Sequence, residues 1–388
     1  MKVKMILPAL TEAESPFWRP VKYSLFPPLG LATLAGHFSE DDEIDLQDQH
    51  VEKLNLEDNP DLVIIQVYIT NAYRSYKLAD YYRKKGSYVV LGGLHVTSLP
   101  EEALEHADTI MIGPGEDIFP KFLQDFKNRN PQKMYISTHR TLIGAPPARR
   151  DLIKRNKYLV PNSIVVTRGC PHHCDFCYKD AFYQNGKSFY TQLVDDALKE
   201  IDRLPGRHLY FLDDHLLGNP KFATELFEGM KGMNRLFQGA ATVDSILTGD
   251  LIEKAAQAGL RSLFVGFETF SPENLKSSNK NQNLKRNYEV FNEENFKKLK
   301  LIAYTMIDFV KEVLTKYKKD INIEEKDIEK CSKMIFSIAE VFLIMENVDF
   351  NSDRFTFKTL DEVKKMYRSD DIKEHLEFIK KSIKKIVY

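Results

Sequence analysis

Three of the four cysteines fall in one short stretch, Arg168-Gly169-Cys170-Pro171-His172-His173-Cys174-Asp175-Phe176-Cys177-Tyr178. The spacing CxxxCxxC puts three thiolates on one tight loop. There they can converge on an iron–sulfur cubane and leave its fourth iron open for chemistry. Structural zinc is the alternative. It needs four closed ligands, usually from two CxxC-like pairs, and here His172 or His173 would have to supply the fourth. No second knuckle follows, and the loop comes directly after a strand, which favours a [4Fe–4S] cluster. Cys331 lies far off on a helix-like stretch and reads as a small buried apolar residue. A disulfide framework would spread an even set of cysteines. Clustered thiols in a chain without an export signal instead point to metal in a reducing compartment, the cytoplasm.

The bulk numbers exclude several other classes. A formal net charge of −1 offers no imbalance to recruit nucleic acid or an anionic membrane. No transmembrane segment is expected, because the longest apolar stretch, Ile335 to Met345, is broken by Ser337 and Glu340. Met1-Lys2-Val3-Lys4 is basic, but the apolar residues after it stop at Pro8, so this is a first strand rather than a signal peptide. A chain of 388 residues with 43% hydrophobic content can bury two or three cores.

Short apolar strands alternate with helices over residues 1–139. Strands are expected at Val3 to Leu7, Ile44 to Leu46, Leu62 to Val67, Tyr88 to Leu91 and Thr109 to Ile112. Helices are expected at Leu29 to Phe38, Ala72 to Lys85 and Glu101 to Glu105, and another after the turn Gly113-Pro114-Gly115-Glu116. Repeated βα units imply an α/β fold with a doubly wound, Rossmann-like parallel sheet, whose ligands bind beyond the carboxyl ends of the strands. Residues 140–162, with Pro146-Pro147, Arg149-Arg150 and Pro161, read as a connector.

A second βα series occupies 163–288. Strands at Ser163 to Thr167, His208 to Leu212, Leu236 to Val243 and Ser262 to Phe267 alternate with helices at Thr191 to Arg203, Pro220 to Met230 and Asp250 to Ala258. Four such steps suit part of a (β/α) barrel, whose strand ends carry the chemistry. Here those ends hold the cysteines, Asp213-Asp214, Asp244 and Glu268. The composition then changes: all 18 glycines and 17 prolines lie at or before Pro272. Short loops of a continuing barrel would use glycine, so 289–388 reads as an α-helical region. Phe296 to Tyr317 and Ile328 to Met345 keep helical spacing there, and Thr359 with Glu362 forms a capping box.

With these motifs the sequence resembles the radical S-adenosylmethionine (radical SAM) superfamily, in which CxxxCxxC binds three irons of a [4Fe–4S] cluster and the fourth chelates S-adenosylmethionine. The resemblance implies that Phe176 packs near the adenine, loop packing being compatible with that role. It implies that Asp213 or Asp214 meets the cofactor's ammonium, the alternative being an N-cap for the next helix. It implies that Glu268 in Gly266-Phe267-Glu268-Thr269 binds ribose hydroxyls, the alternative being a salt bridge at the barrel rim. His215 reads as packing or solvent-facing. Cleavage of the sulfonium by a cluster electron would give a 5′-deoxyadenosyl radical that takes a hydrogen atom from the substrate, which calls for an electron donor such as flavodoxin or ferredoxin.

The first domain extends the resemblance to cobalamin-binding radical SAM enzymes, through Pro27-Pro28-Leu29-Gly30-Leu31, Gly92-Gly93-Leu94-His95-Val96, Gly113-Pro114-Gly115-Glu116 and Arg149-Arg150-Asp151-Leu152. It implies that Gly92, Gly93, His95, Gly113, Gly115 and Glu116 belong to a cobalamin site. Glycines at strand ends let backbone approach a corrin or its nucleotide tail, although Gly92-Gly93 also suits a plain tight turn. Asp48-Gln49-His50 superficially resembles the DxHxxG signature, but Lys53 stands in place of the glycine and the segment follows the second strand. Cobalamin without a protein ligand below the cobalt is therefore expected. The function implied is methylation of an unactivated carbon of a small-molecule, lipid or peptide substrate. The rivals are a non-methylating radical cyclisation or rearrangement, and a degenerate binding protein in which the unusual tail leaves the barrel incomplete.

Overall fold

Alternation at period two decides the first sheet. Val3, Met5, Leu62, Ile64, Val90 and Met111 are buried on one face, and Ile6, Val63, Ile65, Val89, Leu91 and Ile110 on the other. Strands apolar on both faces must be covered on both, which is the requirement of a parallel sheet. In the computed structural model, which describes residues 1–9, 24–184, 186–269 and 271–284, these strands are β1 (Lys2–Leu7), β2 (Glu43–Asp48), β3 (Leu62–Gln66), β4 (Tyr88–Gly92), β5 (Thr109–Ile112) and β6 (Met134–Ile136). They form one six-stranded sheet in the order β2-β1-β3-β4-β5-β6, and every pairing is parallel.

Helices α1 (Leu29–Ala35), α2 (Ala72–Lys84), α3 (Leu94–Ser98), α4 (Pro100–His106) and α5 (Phe119–Lys127) cover the sheet. Leu31, Ala32 and Ala35 of α1 pack with Phe119 and Phe122 of α5 on one face. Tyr76, Ala79 and Tyr82 of α2 pack with Val96 of α3 and Ala103 of α4 on the other. Lys4 is fully buried among the apolar residues. Its ammonium donates to the Asn55 carbonyl at 2.8 Å and pairs with Asp58 and Asp45, so its charge is compensated where it lies.

Five of the six strands match the expected positions to within one or two residues at each end. β6 was not expected: it has three residues and only Tyr135 is buried, too short a run to show a period. Helix α1 stops at Ala35 rather than Phe38.

The second series begins with β7 (Ser163–Ile164) and β8 (Thr167–Gly169), where a single strand through Thr167 was expected. The break lets β8 leave the sheet and pair antiparallel with β9 (Phe189–Thr191), which follows α6 (Lys179–Phe182). Thr191 is committed to Thr167 in that ladder, so α7 (Val194–Arg203) starts later than Thr191. β10 (His208–Phe211) and β11 (Leu236–Thr242) run parallel to β7, in the order β7-β10-β11. Helices α8 (Pro220–Met230), α9 (Val243–Ile246) and α10 (Leu251–Ala258) complete this part. Gly259 closes α10 in the left-handed region.

A second unit starts at Leu260. Its described part holds β12 (Leu260–Gly266) and α11 (Pro272–Ser277), the latter capped by Ser271 Oγ accepting from the Asn274 N–H. Cys331 and the helices expected over 289–388 lie outside the described residues. No helix among the described residues is long and apolar enough to cross a membrane.

Candidate functional site

The cysteine loop is gripped at both ends. On entry, Gly169 has φ +75°, and a Cβ there would lie 1.9 Å from the Ser188 carbonyl oxygen, so only glycine fits. This close approach lets the Cys170 N–H donate to the same oxygen at 3.0 Å. Within the loop, the Cys177 N–H donates to the Cys174 carbonyl at 3.0 Å. Asp214, just past β10, accepts from the Gly169 N–H at 2.9 Å through one oxygen and from the Tyr178 hydroxyl through the other. One carboxylate thus ties the residue before Cys170 to the residue after Cys177.

Its neighbour Asp213 is 3% exposed and accepts from the Val166 N–H at 3.1 Å and from the Thr167 N–H. Burial pushes its carboxyl up to about 7, against the lowering effect of these hydrogen bonds. Neither aspartate caps the next helix; Asn219 does, its side chain accepting from the Phe222 N–H at 3.1 Å.

Cys174 is buried, Cys170 and Cys177 are half-buried, and none is in a disulfide. Burial pushes the Cys170 thiol up to about 11 and raises Cys177 as well. Thiolates in such surroundings need a cation, and a ligated metal supplies one. The two histidines that could complete a zinc site are engaged elsewhere. His172 Nε2 lies 3.6 Å from Asp244 Oδ2, and His173 Nδ1 lies 3.1 Å from Asp180 Oδ1. Among the described residues no three Cys, His, Asp or Glu side chains are gathered closely enough to hold a single ion. A cubane asks for less, since each thiolate binds a different iron. Phe176 is 57% exposed on the loop.

A cleft of about 740 Å³, counted out to its open mouth, lies at the carboxyl ends of β3, β4 and β5. Gly92, Gly93, Gly113, Gly115 and Glu116 line it. At Gly93, φ is +117° and a Cβ would meet the Val67 carbonyl oxygen at 2.7 Å, so bare backbone is obligatory there. Bare backbone above the apolar floor of Ile64, Val90 and Met111 suits the flat face of a corrin. The cleft is too small to enclose a whole corrinoid, much of which would lie outside it. His95 is not among the lining residues: it is 5% exposed, and its Nε2 lies 3.1 Å from Glu102 Oε1. His50 is likewise outside the cleft, with Nδ1 2.8 Å from Asp48 Oδ1.

The far wall of the cleft comes from the cysteine loop's own flanks, through Arg168, Phe182 and Tyr183. Arg168 Nη2 donates to Glu116 Oε1 at 2.5 Å. Burial lowers the Arg168 guanidinium pKa, but the Glu116 carboxylate and the nearby tyrosines outweigh this and hold it above its ordinary value. Arg140, 5% exposed, donates to the carbonyls of Tyr183 at 2.5 Å, Lys187 at 3.0 Å and Ser137 at 3.2 Å, and to that of Gln184. Sequence reasoning missed both arginines. The one signal available for Arg168 was its place immediately before Gly169-Cys170.

In the second unit, Glu268 has φ +62° and accepts from Lys280 Nζ at 2.6 Å.

Comparison with known proteins gives two family matches, a B12 binding domain over residues 22–123 and the radical SAM superfamily over residues 164–313. The bacteriochlorophyllide d C-8(2)-methyltransferase of Chlorobaculum tepidum is 30% identical over 256 residues, covering 61% of this chain and 56% of the relative. The C-12(1)-methyltransferase of the same organism is 29% identical over 242 residues, covering 59% and 52%. The hopanoid C-2 methylase of Rhodopseudomonas palustris is 24% identical, covering 67% and 52%. The chain therefore spans about half the length of these relatives. Among solved structures, the radical SAM methyltransferase TsrM from Kitasatospora setae, with cobalamin and a [4Fe–4S] cluster bound, superposes with a TM-score of 0.56 at 14% identity, covering 79% of this chain and 67% of that one. That likeness is one of fold. A radical SAM domain implies a [4Fe–4S] cluster and S-adenosylmethionine, and a B12 binding domain implies cobalamin. In these matches a B12 binding domain precedes a radical SAM domain, the arrangement of the cobalamin-binding radical SAM proteins.

Proposed function

We propose that this protein is a cobalamin-dependent radical SAM methyltransferase acting on an unactivated carbon of a small, largely apolar molecule or lipid. The observation that carries this reading is the shared wall: Arg168, Phe182 and Tyr183, which flank the cysteine loop, close the glycine-lined cleft of the first sheet. Two cofactor sites with a common wall suit a reaction that needs both. The cluster with S-adenosylmethionine supplies one-electron cleavage of the sulfonium, and cobalamin supplies a carrier for the methyl group.

In this reading Cys170, Cys174 and Cys177 hold the cluster, and Phe176 lies along the adenine. Of the two aspartates, Asp214 is the exposed one, which supports it over Asp213 as acceptor for the ammonium. Glu268 serves the ribose hydroxyls, with Lys280 steadying its carboxylate. Gly92, Gly93, Gly113 and Gly115 let backbone approach the corrin. Electrons come from a low-potential donor such as flavodoxin or ferredoxin. The tetrapyrrole and hopanoid methylases among its relatives support a bulky apolar substrate.

The test is anaerobic incubation of cluster- and cobalamin-loaded protein with reductant, S-adenosylmethionine and candidate tetrapyrroles and polycyclic lipids. A product heavier by one methylene, formed together with 5′-deoxyadenosine, is expected. 5′-Deoxyadenosine with a product of unchanged mass would replace methylation by rearrangement, and absence of any nucleoside would end the enzymatic reading.

A further inference from the structure

The ion pair between Arg168 and Glu116 joins two segments that chemistry alone would not require to touch. Arg168 is the second residue before Cys170 and belongs to β8, whose ladder with β9 fixes how the cysteine loop is entered. Glu116 ends the Gly113–Glu116 turn after β5, at the cleft. The pair is short, at 2.5 Å, with the carboxylate 8% and the Arg168 side chain 26% exposed, so water and salt screen it less than they would a fully exposed pair. The turn that carries Glu116 is itself tightly packed. A Cβ on Gly115 would lie 3.2 Å from Leu34, and one on Gly113 would lie 3.3 Å from the Phe182 carbonyl oxygen. Neither partner can drift without breaking the bond or its neighbours' packing.

Resting on the proposed cofactor sites, we infer that Arg168 and Glu116 are positioning residues that couple the two sites: a shift of the cysteine loop on cluster loading moves Arg168, Arg168 carries Glu116 with it, and the turn is thereby set for the corrin. Coupling of this kind is reciprocal, so cobalamin in turn favours the loaded loop. Glu116 thus acts through its bond to Arg168 rather than as an independent corrin contact.

The experiment measures hydroxocobalamin affinity for cluster-free and cluster-loaded full-length protein, in the wild type, Glu116→Gln, Arg168→Met, Arg168→Lys and the charge-swapped pair Glu116→Arg with Arg168→Glu. Thermal melting is followed on the same samples. Cluster loading is expected to tighten cobalamin binding in the wild type by about fivefold or more. Glu116→Gln and Arg168→Met should bring that ratio close to one, with each cofactor still binding alone, and Arg168→Lys and the swapped pair should restore part of it. A second readout is the magnetic interaction between the reduced cluster and cob(II)alamin: a single well-defined splitting in the wild type, broadened in Glu116→Gln. Wild-type coupling that survives in Arg168→Met, or equal weakening of both cofactors together with a lowered melting temperature, would overturn the inference while leaving the proposed function intact. Wild-type protein that loads its cluster but takes up no cobalamin would overturn both.

Discussion

The first sheet and the cysteine-loop region are held by different forces. In the sheet, two apolar faces are each sealed by helices, and buried aromatic and aliphatic side chains dominate. Around the loop, backbone that makes little regular structure is fixed by individual charged side chains: Asp213 and Asp214 on N–H groups, Arg140 on carbonyls, and Arg168 on Glu116. Apolar burial is diffuse and forgiving, whereas a polar clasp fails when one atom is removed. The sheet should therefore fail by unfolding, and the loop by losing its cofactor while the chain stays folded.

The sharpest break in that contrast comes from the cysteines. Replacing any one of Cys170, Cys174 or Cys177 by alanine should abolish cluster loading, read as iron and sulfide per chain, with the melting temperature of the cofactor-free protein within a few degrees of wild type. Next comes Phe122→Ala. Phe122 is fully buried and packs against Phe119, Phe126 and Tyr135, so its loss should cost about 3–5 kcal/mol in denaturant unfolding. Iron per folded molecule should be unchanged; a selective loss of iron would erase the distinction between the regions. Gly93→Ala should have a smaller effect, on the order of 1–3 kcal/mol from the φ of +117° and the contact with the Val67 carbonyl. It should weaken cobalamin binding in a spectral titration more than it lowers cluster content.

The smallest effect is one of pH. Burial holds Asp213 at about 7 in the folded chain, above its ordinary 3.8. Between about pH 4 and 7 the folded state therefore keeps a proton that the unfolded state has released. The stability this contributes is full below about pH 4 and is lost as pH rises through 7. Asp213→Asn should flatten that slope in melting temperatures measured across the range; an unchanged slope would show that Asp213 is ionised in the folded chain.

The same division governs what could be read in advance. Leu62-Val63-Ile64-Ile65 is visible as a buried strand because four consecutive apolar residues have few other uses, and Thr109 to Ile112 was placed to the residue. Met134-Tyr135-Ile136 was not visible, since one buried side chain carries no period. The β8–β9 ladder joins segments on either side of the cysteine loop, and nothing local announces that pairing. The cysteines were legible because spacing alone confines three thiols to one loop. The work of Asp213 was not, because its partners are backbone N–H groups brought near only by the fold. His95 shows the limit of motif resemblance: it sits in the Gly92-Gly93 motif, yet its side chain meets Glu102 rather than the cleft.

Arg140 has a consequence for how the protein can be divided. It sits in a stretch that looks like a tether between two modules, yet three of the carbonyls it serves belong to Tyr183, Gln184 and Lys187, beyond the cysteine loop. A fragment starting at the second series would leave those three carbonyls without this donor. The stretch that holds Arg140 is thus part of the packing behind the cysteine loop as well as a link, and swapping it for that of a relative would require the graft to bring its own arginine.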